Sequence, residues 1–113
     1  MNLKTLRQLL KVCADDKRLR IINALSNREL VVKDICSLID STQPTVSKHL
    51  ANLRMLRVVV DRREGNLVYY RLNNNPDSPQ RQLVDFIVSQ FSQLVVFQED
   101  KKEVRNRGRC KKI

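Results

Sequence analysis

The chain has 113 residues, 42% of them apolar and none of them tryptophan, which is enough for one small core and not for two. Its net charge of +10 points to a polyanion partner. The N-terminus MNLKTLRQLLKVCADDKRLRI interrupts its leucines with charges, and no run of about 18 apolar residues occurs, which excludes a membrane span or signal peptide and predicts a cytoplasmic protein.

In chain order, Leu3, Leu6, Leu10 and Cys13 recur three and four apart, so they line one stripe of a first helix that needs a partner surface. Asp15 or Asp16 caps a second helix with Leu19, Ile22 and Leu25 inward, and Ser26-Asn27 ends it. A short third helix spans about 32 to 40, with Val32, Ile35 and Ile39 buried. The stretch STQPTVSKHLANL opens a fourth, at 42 to 56: Ser41 or Thr42 accepts first-turn amides, and Pro44 falls where its missing N–H does no harm. On its wheel Val46, Leu50 and Leu53 face inward, while Thr45, Ser47, Lys48, Ala51 and Asn52 face outward.

VVVDRREGNLVYYRL then reads as two strands turning at Glu64-Gly65-Asn66, with Tyr69 and Tyr70 on opposite faces. NNNPDSP is a loop. A last helix carries Leu83, Val84, Ile87, Val88, Phe91, Leu94 and Val95 on a broad stripe. Such a stripe on so small a chain predicts a homodimer paired through Leu3, Leu6 and Leu10 of the first helix and Leu83, Ile87, Phe91, Leu94 and Val95 of the last. The domain division is 1–100 as a single dimeric domain and 101–113 as a basic tail, expected to be mobile.

Charge follows this plan. Residues 41 to 72 hold six basic and two acidic residues, and 101 to 113 hold seven basic and one acidic, while the remainder balances. The third and fourth helices make a helix-turn-helix and the basic hairpin a wing. The expected contacts to double-stranded operator DNA are Gln43, Thr45, Ser47, Lys48 and Asn52 on the reading helix, with Arg62 and Arg63 at the wing tip. The fold class is therefore mainly α with a β-hairpin wing: a winged helix-turn-helix of about five helices.

The segments ADDKRLRIINALSNREL and STQPTVSKHLANLRMLRVVVDRREGNLVYYRL resemble the bacterial ArsR/SmtB family of winged helix-turn-helix repressors, over roughly residues 3 to 97. The resemblance implies a homodimer that binds an inverted-repeat operator and releases it on a metal, metalloid or thiol signal. Two positions depart from the family pattern. Its Leu-Arg-x-x-Gly turn is LRMLRVV here, at 53 to 59, which implies a rebuilt junction. Its arsenic-sensing Cys-Val-Cys pair after Glu-Leu is replaced in ELVVKDIC, where Val31 and Lys33 stand for both thiols and Lys33 repels a cation.

No cofactor is expected, and an arsenite or other thiophilic inducer lacks that usual motif. The family's other metal site, on the last helix, is reduced to Asp85, so no metal site is expected. Cys36, Cys13 and Cys110 form no CxxC pair and remain as candidate sensory thiols, against the simpler role of small buried hydrophobes for Cys36 and Cys13 and of a residue in a mobile basic tail for Cys110. His49, the single histidine, is expected to pack beside the buried face with its imidazole bonded to backbone. One histidine and two glycines provide neither a Ser/His/Asp set nor a phosphate loop, so an enzyme is not expected. The rival reading is a helix-turn-helix adaptor that binds protein without sequence-specific DNA binding.

Overall fold

The computed structural model describes residues 1–91 and 111–112 of the chain. Helix α1 (Leu3–Cys13) begins where the Asn2 side chain accepts from the Thr5 amide at 2.8 Å. Helix α2 (Asp16–Ala24) begins at Asp15, whose carboxylate accepts from the Arg18 amide at 3.1 Å, so Asp15 is the cap and Asp16 adds negative charge in the first turn. Asn27, in the left-handed region at φ 61°, then turns the chain into strand β1 (Arg28–Val31).

Strand β1 has no counterpart in the sequence reading, which passes directly from α2 to α3. Four residues are too few to display alternation, and β1 is a strand because Leu30 and Val31 pair with Tyr70 and Tyr69 far along the chain. Helix α3 (Val32–Ile39) buries Ile35, Leu38 and Ile39. Val32 is only half-buried, because it is the first helical residue and packs at the edge of the core rather than within it. The helix ends at Asp40, left-handed at φ 51°, and the Cys36 carbonyl accepts from the amides of both Asp40 and Ser41.

Helix α4 (Gln43–Met55) places Pro44 in its first turn and buries Val46, Leu50 and Leu53 completely. Neither expected hydroxyl cap forms. Thr42 stands at the cap position, but its hydroxyl donates to Thr45 Oγ1 at 3.0 Å, and the Ser41 hydroxyl accepts from Lys17 Nζ at 3.0 Å. The junction after α4 turns on a left-handed residue. Arg57 occupies the place of the family's glycine in the left-handed conformation, φ 61°, while the Val58 amide donates to the Leu53 carbonyl at 2.9 Å. Gln80 donates to the Leu56 carbonyl at 3.1 Å and Asn73 to the Arg57 carbonyl at 2.9 Å, so neighbouring side chains hold the turn that glycine would otherwise make easy.

Strands β2 (Val59–Glu64) and β3 (Leu67–Leu72) form the hairpin, with Glu64 opposite Leu67 and Gly65 at φ 61° in the turn. The antiparallel sheet has the order β2-β3-β1-β4, in which β4 is Lys111–Lys112. Tyr70 packs against the core and Tyr69 lies on the other face. Helix α5 (Pro79–Phe91) adds Val84 and Ile87 to a core that otherwise comes from Leu9 and Val12 of α1, Ile21, Ile22 and Leu25, Leu30, and the inner faces of α3 and α4. No helix of the described residues is long and apolar enough to cross a membrane.

The outer faces of α1 and α5 divide differently from the sequence reading. Leu3, Leu6 and Leu10 are 79%, 39% and 51% exposed, whereas Leu9, Val12 and Cys13 bury the opposite side of α1. Cys13 therefore does not share the leucine stripe. On α5, Ile87 is buried in the chain's own core and Leu83 is half-buried against it, while Phe86, which the stripe omits, is 58% exposed. Leu94, Val95, Cys110 and the side chain of Phe91 lie outside the described residues, as does most of the 101–113 tail.

Candidate nucleic-acid interface

The helix-turn-helix is clamped from α2. Lys17 reaches the Ser41 hydroxyl, and Arg20, one turn further on, donates to the carbonyls of Leu38 and Ile39 at 3.1 and 3.4 Å, satisfying the open end of α3. Arg18 donates through Nε to His49 Nδ1 at 2.9 Å and through Nη1 to the Val12 carbonyl at 3.2 Å. The partner of His49 is thus a guanidinium and not backbone. Burial pushes the imidazole below its ordinary range, the Asp15 carboxylate opposes this, and the Arg18, Lys17 and Lys48 cations add to the lowering.

With its inner face fixed, α4 presents Gln43, Pro44, Ser47, Lys48 and Ala51 to solvent, and Thr45 and Asn52 are half-exposed beside them. The side chains of Gln43, Ser47 and Lys48 make no hydrogen bond or ion pair among the described residues. This face offers amide, hydroxyl and ammonium groups without competition from the protein, the chemistry that base edges and phosphates take. Thr45 accepts from Thr42 instead, so its hydroxyl is already engaged.

The wing does not place both arginines alike. Arg63 is exposed and makes no ion pair among the described residues. Arg62 is drawn back along the sheet: Nε lies 2.9 and 3.2 Å from the two Glu29 oxygens, Nη1 lies 2.8 Å from Glu64, and the guanidinium rests 4.6 Å from the centroid of the Tyr69 ring. Bonding to Glu29 first, and to Glu64 next, holds this guanidinium protonated more firmly than usual. Arg62 is therefore not a tip cation. Sequence reasoning missed the arrangement because Glu29 and Arg62 are 33 positions apart, and their meeting depends on the unforeseen strand β1.

The two thiols of the described residues are quiet. Burial pushes Cys13 up to about 11 in spite of nearby Arg18, and burial raises Cys36 as well, opposed by a backbone hydrogen bond. Both are free cysteines. Lys33 is exposed, and among the described residues no three His, Cys, Asp or Glu side chains are grouped to hold a metal ion.

A helix-turn-helix with an exposed polar second helix, followed at once by a β-hairpin, defines a winged helix-turn-helix protein. The family described as bacterial regulatory protein, arsR family, matches residues 15–60, the stretch from the α2 cap into β2. The arsenical resistance operon repressor of Escherichia coli K12 is 40% identical over 79 residues, covering 69% of this chain and 68% of that protein. The cadmium resistance regulatory protein CadC of Listeria innocua is 43% identical over 65 residues, covering 57% of this chain and 55% of that protein, so the chain spans about half of some relatives. Among solved structures, HlyU from Vibrio cholerae superposes with a TM-score of 0.71 at 28% identity, covering 82% of this chain and 100% of that one. The repressor BigR from Xylella fastidiosa superposes with a TM-score of 0.67 at 30% identity, covering 77% and 83%. The chain belongs to the ArsR family of bacterial transcriptional regulators.

Proposed function

We propose that the protein is a homodimeric repressor that binds an inverted-repeat operator in double-stranded DNA, with α4 in the major groove and the wing beside it. The observation that carries this reading is the uncommitted outer face of α4, where Gln43, Ser47 and Lys48 stand free above a fully buried Val46, Leu50 and Leu53. The leucines of α1 and Phe86 of α5 are exposed apolar side chains that a second copy would cover, and two-fold pairing through them sets two reading helices about one DNA turn, roughly 34 Å, apart. A related Mycobacterium bovis domain, 26% identical with a TM-score of 0.67, is described as a homodimeric winged helix-turn-helix DNA-binding domain.

Release follows from any signal that binds the free state better than the DNA-bound state. Cys36 is the half-exposed thiol of the described residues and lies on the helix preceding the reading helix, so a thiophilic inducer would act there if it acts on α3. The test is selection of bound duplexes from a random pool, repeated with arsenite, divalent metals, oxidants and persulfide. Enrichment of a two-fold symmetric sequence is the expected result. Recovery of no sequence above background, with binding insensitive to salt, would instead favour a protein-binding adaptor.

A further inference from the structure

Strand β3 lies between β2 and β1, yet one side chain spans all three. Arg62 of β2 passes over Tyr69, its cross-strand partner on β3, and bonds both carboxylate oxygens of Glu29 on β1. The Glu29 side chain is 10% exposed and that of Arg62 is 40% exposed. A carboxylate so buried needs a bonded cation, and twin charge-assisted bonds fix direction as well as distance. The anchoring strand matters too. Residue Val31, two positions after Glu29, is the N-cap of α3, so β1 leads directly into the helix-turn-helix.

We propose that Glu29 is a positioning residue for DNA recognition: through Arg62 it sets the angle of the wing relative to the helix-turn-helix, and so the place of Arg63 and the Gly65 turn. This rests on the DNA-binding reading above. Arg62 contributes little net charge to the DNA face, since Glu29 and Glu64 neutralise it. The exposed wing cation is Arg63, and Glu29 determines whether it reaches the groove in register with α4, a coincidence that only the selected duplex rewards.

The test uses the full chain with Glu29→Gln, Arg62→Gln and the exchanged pair Glu29→Arg with Arg62→Glu. Two quantities are measured: amide hydrogen exchange across β2 and β3 in the free protein, and the ratio of affinities for a selected duplex and a random-sequence duplex. Glu29→Gln should speed exchange between Arg62 and Tyr69 and lower that ratio about tenfold, mostly through the selected duplex. The exchanged pair should recover a substantial part of both. Should Glu29→Gln fail to fold, Arg62→Gln carries the same two measurements. An unchanged ratio, or an equal loss on both duplexes, overturns the proposal. If the unaltered protein binds neither duplex, the DNA-binding reading fails, and exchange alone decides the clamp: faster exchange in Glu29→Gln upholds it and unchanged exchange removes it.

Discussion

The Nε of Arg18 donates to Nδ1 of His49 across 2.9 Å, joining the helix ahead of the helix-turn-helix to the middle of the reading helix. Only a neutral imidazole can accept this bond. Because the folded environment lowers the His49 pKa, the unfolded chain binds the proton more readily, and stability rises with pH between the folded value and about 6.5. The contribution is complete above that window and disappears as pH falls through the folded value. It should amount to at most about 1 kcal/mol, since the site is half-exposed and screened. Urea unfolding at pH 7.5 and 5.5 should show the loss in the unaltered protein and a smaller one in His49→Gln, whose amide accepts but does not titrate. Equal pH dependence in both would assign the effect to other groups.

Ser47→Ala combined with Lys48→Ala should cost a few kcal/mol against the selected DNA site and leave the urea midpoint almost unmoved, because both side chains are exposed and outside the core. Leu50→Ala, on the same helix but fully buried, should do the reverse and cost about 2–5 kcal/mol of folding stability. Should the double variant retain operator affinity, α4 is not the reading helix.

The division within α4 was legible in the sequence because Val46, Leu50 and Leu53 keep helical spacing, and that local pattern is enough to orient the helix. The hairpin was legible for a similar reason, since Gly65 sits between two runs rich in strand-forming valine and tyrosine. What stayed hidden depends on distant partners. Strand β1 exists through its pairing with Tyr69 and Tyr70, and Arg62 was read as a tip cation because nothing near it in sequence foretells Glu29. On α5, helical spacing alone could not say which side of a broad apolar stripe the chain keeps for itself, and so Ile87, expected in the dimer face, is in the core, while Phe86, outside the stripe, is exposed.

Arg57 occupies a left-handed turn that costs a side-chain-bearing residue roughly 1–2 kcal/mol, against the roughly 0.5–1 kcal/mol of extra chain entropy that glycine loses on folding. Arg57→Gly should therefore stabilise the fold by several tenths of a kcal/mol, and Arg57→Val, β-branched, should destabilise it by more than that. The comparison is made by urea unfolding. A loss of stability in Arg57→Gly would mean that the arginine side chain contributes a contact outweighing the strain.

Leu6→Glu with Leu10→Glu should yield a folded monomer, since both leucines are exposed in the single chain and charges there meet water until a second copy approaches. Phe86→Glu should weaken association as well, and Ile87→Glu should unfold the chain instead, because Ile87 is in its own core. Sedimentation at micromolar concentration, beside far-ultraviolet circular dichroism, separates these outcomes. A dimer that tolerates both leucine changes would move the interface off α1.

The thiols make the last prediction. With Cys13 raised to about 11 by burial, its thiolate is scarce at neutral pH, and Cys36 is shifted in the same direction. Neither is a nucleophile poised for oxidation, so alkylation of the native protein at pH 7.5 should modify Cys13 much more slowly than a free thiol, with Cys36 intermediate because it is half-exposed. A soft metalloid is a different matter, since coordination displaces the thiol proton and draws on affinity rather than on a resting thiolate. If Cys36 is sensory, arsenite should therefore release DNA from the unaltered protein and not from Cys36→Ser, while mild oxidant releases it from neither. Identical responses of the two proteins would leave Cys36 as a packing residue at the edge of the core, with Lys33 and Val31 standing in place of the family's thiol pair.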